Sequence, residues 1–185
     1  MENNNQAMRS FDGYAGKELI VNLTKKIISA RYIRKEEMYR YRFDGQLYLY
    51  TLYNELNIET GPPGTDSAIM LAPLPSRDAD SETAICYRSS DTGALRGIKC
   101  KSPFALNMNR AGFNFVTIYG KSSAPVYLKI SSGAGSLTNA AHFQRSEYTL
   151  IHLLLSEEEV SSVLKEKNLL GIAVQKADTN VRLAV

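Results

Sequence analysis

The stretch from Arg31 to Tyr53 constrains the fold more tightly than any other, because two alternating aromatic and polar runs flank Asp44-Gly45. A two-residue hairpin turn of the I′ type needs positive φ at both central residues, which Asp and Gly supply cheaply. With Asp44 and Gly45 as the loop, Phe43 opposes Gln46, Tyr41 opposes Tyr48 and Tyr39 opposes Tyr50. Strand side chains alternate between faces. One face of the ribbon therefore carries Tyr39, Tyr41, Phe43, Tyr48 and Tyr50, and the other Met38, Arg40, Arg42, Leu47, Leu49 and Thr51.

The remaining chain reads as one β-rich α+β domain over 17–185, preceded by a flexible arm at 1–16 and containing a Pro/Gly-rich loop region at 60–82. Ile20, Leu23, Ile27 and Ala30 match a helical stripe, so the spacing predicts an N-terminal helix over Lys17 to Ala30. Prolines at 62, 63, 73 and 75 confine any strand at Ala68 to Leu71 to a short or edge position. Thr83 to Ser89, Leu95 to Lys101, Phe113 to Tyr119, Val126 to Ser131, Tyr148 to Leu155, Leu170 to Gln175 and Val181 to Val185 read as strands between turn residues. This spacing predicts an antiparallel sheet or a partly open barrel. Gly133 to Ser136 reads as a polar loop. Ser156 with Glu159 forms a capping box, which predicts a C-terminal helix over 156–167.

Motifs for chemistry are sparse. Gly61-Pro62-Pro63-Gly64-Thr65 resembles the start of a phosphate loop, but the positions for the second glycine, lysine and hydroxyl hold Asp66, Ser67 and Ala68. His142 and His152 have no nucleophile or metal-ligand spacing beside them, and Cys86 and Cys100 lack companions for a zinc site. The two thiols face each other only if a hairpin loop spans Asp91 to Leu95; two reduced thiols is the simpler expectation. The sequence thus predicts no cofactor, no metal and no enzymatic activity. The start of the chain lacks a basic and an apolar region of the signal-peptide kind, and no apolar run is long enough to span a bilayer, so a cytoplasmic, membrane-free setting is expected.

Charge placement supplies the functional expectation. The net charge is +3, and residues 1–50 hold the whole excess, with nine bases against six acids. A second basic run comprises Arg96, Lys99, Lys101 and Arg110. Six of the eleven tyrosines fall between residues 31 and 53, interleaved with arginines. Exposed rings among guanidinium groups suit single-stranded nucleic acid, where bases stack and phosphates pair. The expected site is Arg34, Tyr39, Arg40, Tyr41, Arg42, Tyr48 and Tyr50 with Arg96, Lys99 and Lys101, and the expected function is non-enzymatic DNA or RNA binding. The competing view packs the same rings into a core as strand formers. It leaves a protein-interaction or assembly subunit, self-associating or joined to a protein partner by its sheet edges.

Overall fold

The computed structural model describes residues 16–33, 68–73, 82–88, 92, 94–101, 104–142, 148–151 and 164–175. Its first elements are strands. Lys17–Asn22 (β1) and Ile27–Tyr32 (β2) form an antiparallel hairpin where the helix was expected. The decisive pattern is period two: Leu19, Val21 and Leu23 are buried while Ile27 is 55% exposed. The helical stripe through Ile20 and Ile27 would have buried the wrong residues. The turn between the strands is stabilised locally, since Asn22 Oδ1 accepts the Lys25 N–H at 2.9 Å and Lys26 takes φ 54°.

Eight further strands follow: Ile69–Pro73 (β3), Glu82–Arg88 (β4), Leu95–Lys101 (β5), Phe115–Tyr119 (β6), Val126–Ser131 (β7), Ala134–Asn139 (β8), Tyr148–Ile151 (β9) and Leu169–Gln175 (β10). The helix Phe104–Arg110 (α1) lies between β5 and β6. One sheet has the order β2-β1-β6-β3-β4-β5 and the other β8-β7-β10-β9. Residues of both contribute to one apolar core that includes Leu19, Val21, Ile69, Ile85, Val116, Ile118, Leu128, Ile130 and Ile172.

The fold is therefore mostly β, and the expected α+β class with a helix at each end is overturned. Helix α1 is mid-chain and seven residues long, and of the expected 156–167 helix the described part is a single turn at 164–166. The sheets are also mixed: β1 runs parallel to β6 and β10 parallel to β7. Parallel neighbours need long crossovers, and a pattern of local alternation cannot announce them. Strand β3 is short, at five residues, but interior, between β6 and β4. Proline is tolerated there because Pro73 is its last residue, beyond a β6 ladder that ends at Leu71. Gly133 to Ser136 is the turn and start of β8, and a Cβ on Gly135 would lie 2.9 Å from Leu19 Cδ2. The missing side chain lets the two sheets close together at that corner. The arm at 1–15, the 38–53 hairpin and the strand at 181–185 lie outside the described residues. Among the described residues, no helix is long and apolar enough to cross a membrane.

Two glycines give a contrast that tests this packing. Gly120 (φ +76°) has Thr24 Oγ1 only 2.5 Å from where a Cβ would sit, whereas Gly133 (φ +74°) has nothing within 4 Å. The left-handed backbone alone costs an alanine roughly 1–2 kcal/mol, and the steric conflict adds about 1–3 kcal/mol. Urea denaturation is expected to show a clearly larger loss for Gly120→Ala than for Gly133→Ala. Equal losses would contradict the docking of the β1–β2 turn on Gly120.

Candidate functional site

Of the ten residues expected to form a nucleic-acid site, three are described. Arg34, Tyr39, Arg40, Tyr41, Arg42, Tyr48 and Tyr50 lie outside the described residues. Arg96 and Lys99 are exposed on edge strand β5, opposite Tyr87 and Ala84, so they occupy the two different faces of the sheet. Lys101 pairs by its backbone with Glu82. His142 is exposed in the short 3-10 turn Ala140–His142, and His152 is outside the described residues. Cys86 is a free thiol opposite Gly97, not opposite Cys100.

The polar residues that the structure does bring together are ones the sequence reading passed over. Glu18 is fully buried on β1, on the face turned away from the Leu19–Val21 core. Its Oε1 accepts the Thr117 hydroxyl of β6 at 2.5 Å, and its Oε2 accepts Arg31 Nε of β2 at 2.5 Å. One carboxylate thus ties three adjacent strands together. A buried charge is tolerable only when paired and hydrogen-bonded in this way. Just before β6, Asn114 does the same job with a neutral group. Its Oδ1 accepts the Gly16 N–H at 2.6 Å and its Nδ2 donates to Asn109 Oδ1 at 3.2 Å. No local motif marks Glu18; the signal available was a carboxylate at an even position within an alternating strand.

The same face of the six-stranded sheet continues through Met70 and Ala72 of β3 to Ala84 and Cys86 of β4, all buried. Burial pushes the Cys86 thiol up from 9.0 to about 12. It stays protonated at neutral pH, which makes it a poor nucleophile, since attack needs the thiolate. Glu18 is held by two donors. Among the described residues, no group of three or more His, Cys, Asp or Glu is placed to hold a metal ion. These strands form a rigid, buried layer of backbone and small side chains.

Comparison with known proteins points to redox enzymes. Residues 18–174 match the family described as "Aldehyde ferredoxin oxidoreductase, N-terminal domain". The chain is 23% identical over 169 residues to the "Aliphatic sulfonate oxidoreductase, WOR-like subunit" of Pyrococcus furiosus, covering 89% of this chain and 27% of that protein. Among solved structures it resembles the "Active site complex BamBC of Benzoyl Coenzyme A reductase in complex with 1,5 Dienoyl-CoA", with a TM-score of 0.71 and 17% identity over 90% of this chain and 31% of the other. The chain spans less than a third of the length of these relatives. These matches overturn the expectation of a non-enzymatic protein binding single-stranded DNA or RNA. Tyrosines on strands and a mild basic excess are features that an ordinary β domain also has, and they carried too little information to choose a partner.

The polar ties and the buried thiol are both open to measurement. Thr117→Val removes a donor to a buried carboxylate and is expected to cost about 1–3 kcal/mol in urea denaturation. A neutral effect would contradict the Glu18–Thr117 bond. For Cys86, the folded state keeps its proton above the unfolded value of 9.0, so stability is full below pH 9 and falls as pH rises towards about 12. Cys86→Ala is expected to flatten that alkaline decline. In Cys100→Ser, a thiol reagent at pH 8 should label Cys86 only after unfolding; rapid labelling of the native protein would contradict its burial.

Proposed function

We propose that this chain, which belongs to the aldehyde ferredoxin oxidoreductase N-terminal domain family, serves as the β platform of an oxidoreductase. The observation that carries this reading is the extent of the match. It runs from Glu18, the buried carboxylate of β1, to Val174 in the last strand of the second sheet, and so includes both sheets and the ties between them.

The division of labour follows from the residues. An oxidoreductase needs a redox group that exchanges electrons with its substrate. The described side chains contain no ligand cluster for a metal, and their buried carboxylate is held by Arg31 and Thr117. Their contribution is structural: Glu18, Thr117 and Asn114 fix the strands of the platform relative to one another. Rigid support of this kind keeps a reacting group within the narrow geometry that electron and proton transfer need. The direct ligands and the substrate pocket would then come from polypeptide beyond the residues described here, in line with relatives of which this chain spans less than a third. The names of the relatives point the same way. Aldehydes, an aliphatic sulfonate and a dienoyl-CoA have little chemistry in common, so a domain shared by their enzymes supports the redox centre and leaves substrate choice to other parts.

The test is a dye-coupled assay on the complete protein, purified without oxygen in its native assembly. We expect reduction of benzyl viologen with at least one member of a panel of aldehydes and aliphatic sulfonates. A well-folded preparation that lacks any redox-active absorbance, and that transfers no electrons from any of these compounds, would overturn the reading.

A further inference from the structure

One end of the molecule gathers lysines from three segments that are far apart in sequence. The β1–β2 turn at 23–26 supplies Lys25 and Lys26, the β6–β7 connection at 120–125 supplies Lys121, and the turn at 164–168 supplies Lys165 and Lys167. Direct hydrogen bonds join the three. The Lys121 N–H donates to Thr24 Oγ1 at 3.0 Å, and the Leu23 N–H to the Tyr119 carbonyl at 2.9 Å. The Ser122 N–H donates to the Lys167 carbonyl at 3.0 Å, and Asn168 Nδ2 to the Ser122 carbonyl at 2.7 Å. Lys167 is buried, and its Nζ donates to the Gly120 carbonyl at 3.3 Å.

Lys25, Lys26, Lys121 and Lys165 are all exposed, and none is in an ion pair with a described residue. Within the three segments, five lysines stand against one acid, Glu166. A solvated lysine pair needs no explanation. Four exposed lysines on three turns that hydrogen bonds join across more than 140 residues of sequence give this end a positive excess. These groups spread over three loops, which fits a broad negative surface better than a small anion.

We infer that this lysine-rich end is the docking surface for an acidic electron-carrier protein. The inference rests on the oxidoreductase reading, in which electrons pass to or from a second molecule. Encounters between redox proteins are small and transient, and they depend on charge steering more than on buried area. Complementary potentials raise association rates by about 10- to 1000-fold, an effect screened within about 8 Å at physiological salt.

The test uses the complete protein, a ferredoxin of strongly acidic surface as probe, and the charge-reversed variant Lys25→Glu, Lys26→Glu, Lys121→Glu, Lys165→Glu. Lys167 is left intact because it is buried. Association measured by biolayer interferometry at low salt should be at least about tenfold slower in the variant. Raising NaCl should slow the wild type and leave the variant nearly unchanged. Viologen-linked activity and thermal midpoint should be those of wild type. Arg96→Glu with Lys99→Glu, on the distant β5 edge, should behave as wild type. Ferredoxin association that is absent in the wild type, indifferent to salt, or unaltered by the charge reversal would overturn the inference. So would a surface that binds tripolyphosphate with loss in the variant while ferredoxin binding persists. Absence of viologen activity in the wild type counts against the oxidoreductase reading alone, because the binding measurement stands without it.

Discussion

The pairing of β1 with β6 is the constraint on which the rest of the architecture depends. It joins residues 18–22 to 115–119 in parallel, so nearly a hundred residues must be looped out before the first hydrogen bond forms. Closing such a loop has an entropic cost that grows only slowly with length, but it must be offset by contacts made at the junction itself. The structure supplies them at both ends. Asn114 holds the Gly16 amide and Glu18 binds Thr117 at one end, while Gly120 and Lys121 seat the Thr24 turn at the other. Once β6 is placed, β3 can pair on its other side and carry β4 and β5 with it. The β1–β2 hairpin becomes the opposite flank.

This arrangement explains what was legible in the sequence and what was not. Strands β4, β5 and β7 coincide closely with the runs expected, because each is a local pattern of strand-forming residues bounded by turn chemistry. Strand β1 was hidden because Ile20, Leu23, Ile27 and Ala30 satisfy a helical template as well as Leu19, Val21 and Leu23 satisfy an alternating one. Tertiary burial decides between them, and it favours Leu19, Val21 and Leu23. Strand β8 was hidden by Gly133 and Gly135, which serve respectively a left-handed turn and a close approach of Leu19. The parallel order was beyond reach, since it is a property of crossovers and not of any one strand.

Function was less legible than fold for a related reason. A platform works through backbone placement and small side chains, so Ala72, Ala84 and Gly97 carry no spacing that resembles a catalytic motif. Glu18, a buried and paired carboxylate, sits alone in the sequence between Lys17 and Leu19. Its partners Arg31 and Thr117 meet it only in space. The lysines at the far end behave alike: Lys25, Lys121 and Lys165 are unremarkable until three turns converge. Conversely, the Tyr/Arg ribbon was conspicuous because its residues are neighbours in the chain, and proximity in sequence is a poor guide to chemistry assembled across sheets.

The most direct measurement is an experimental structure of the complete protein with its redox group bound. The six-stranded and four-stranded sheets are expected to survive intact around the Glu18–Thr117 tie, with no His, Cys, Asp or Glu of the described residues ligating a metal. The redox group should lie against the domain through backbone and small or neutral side chains. A described carboxylate or thiol, Glu18 or Cys86 above all, found coordinating the metal would contradict this expectation.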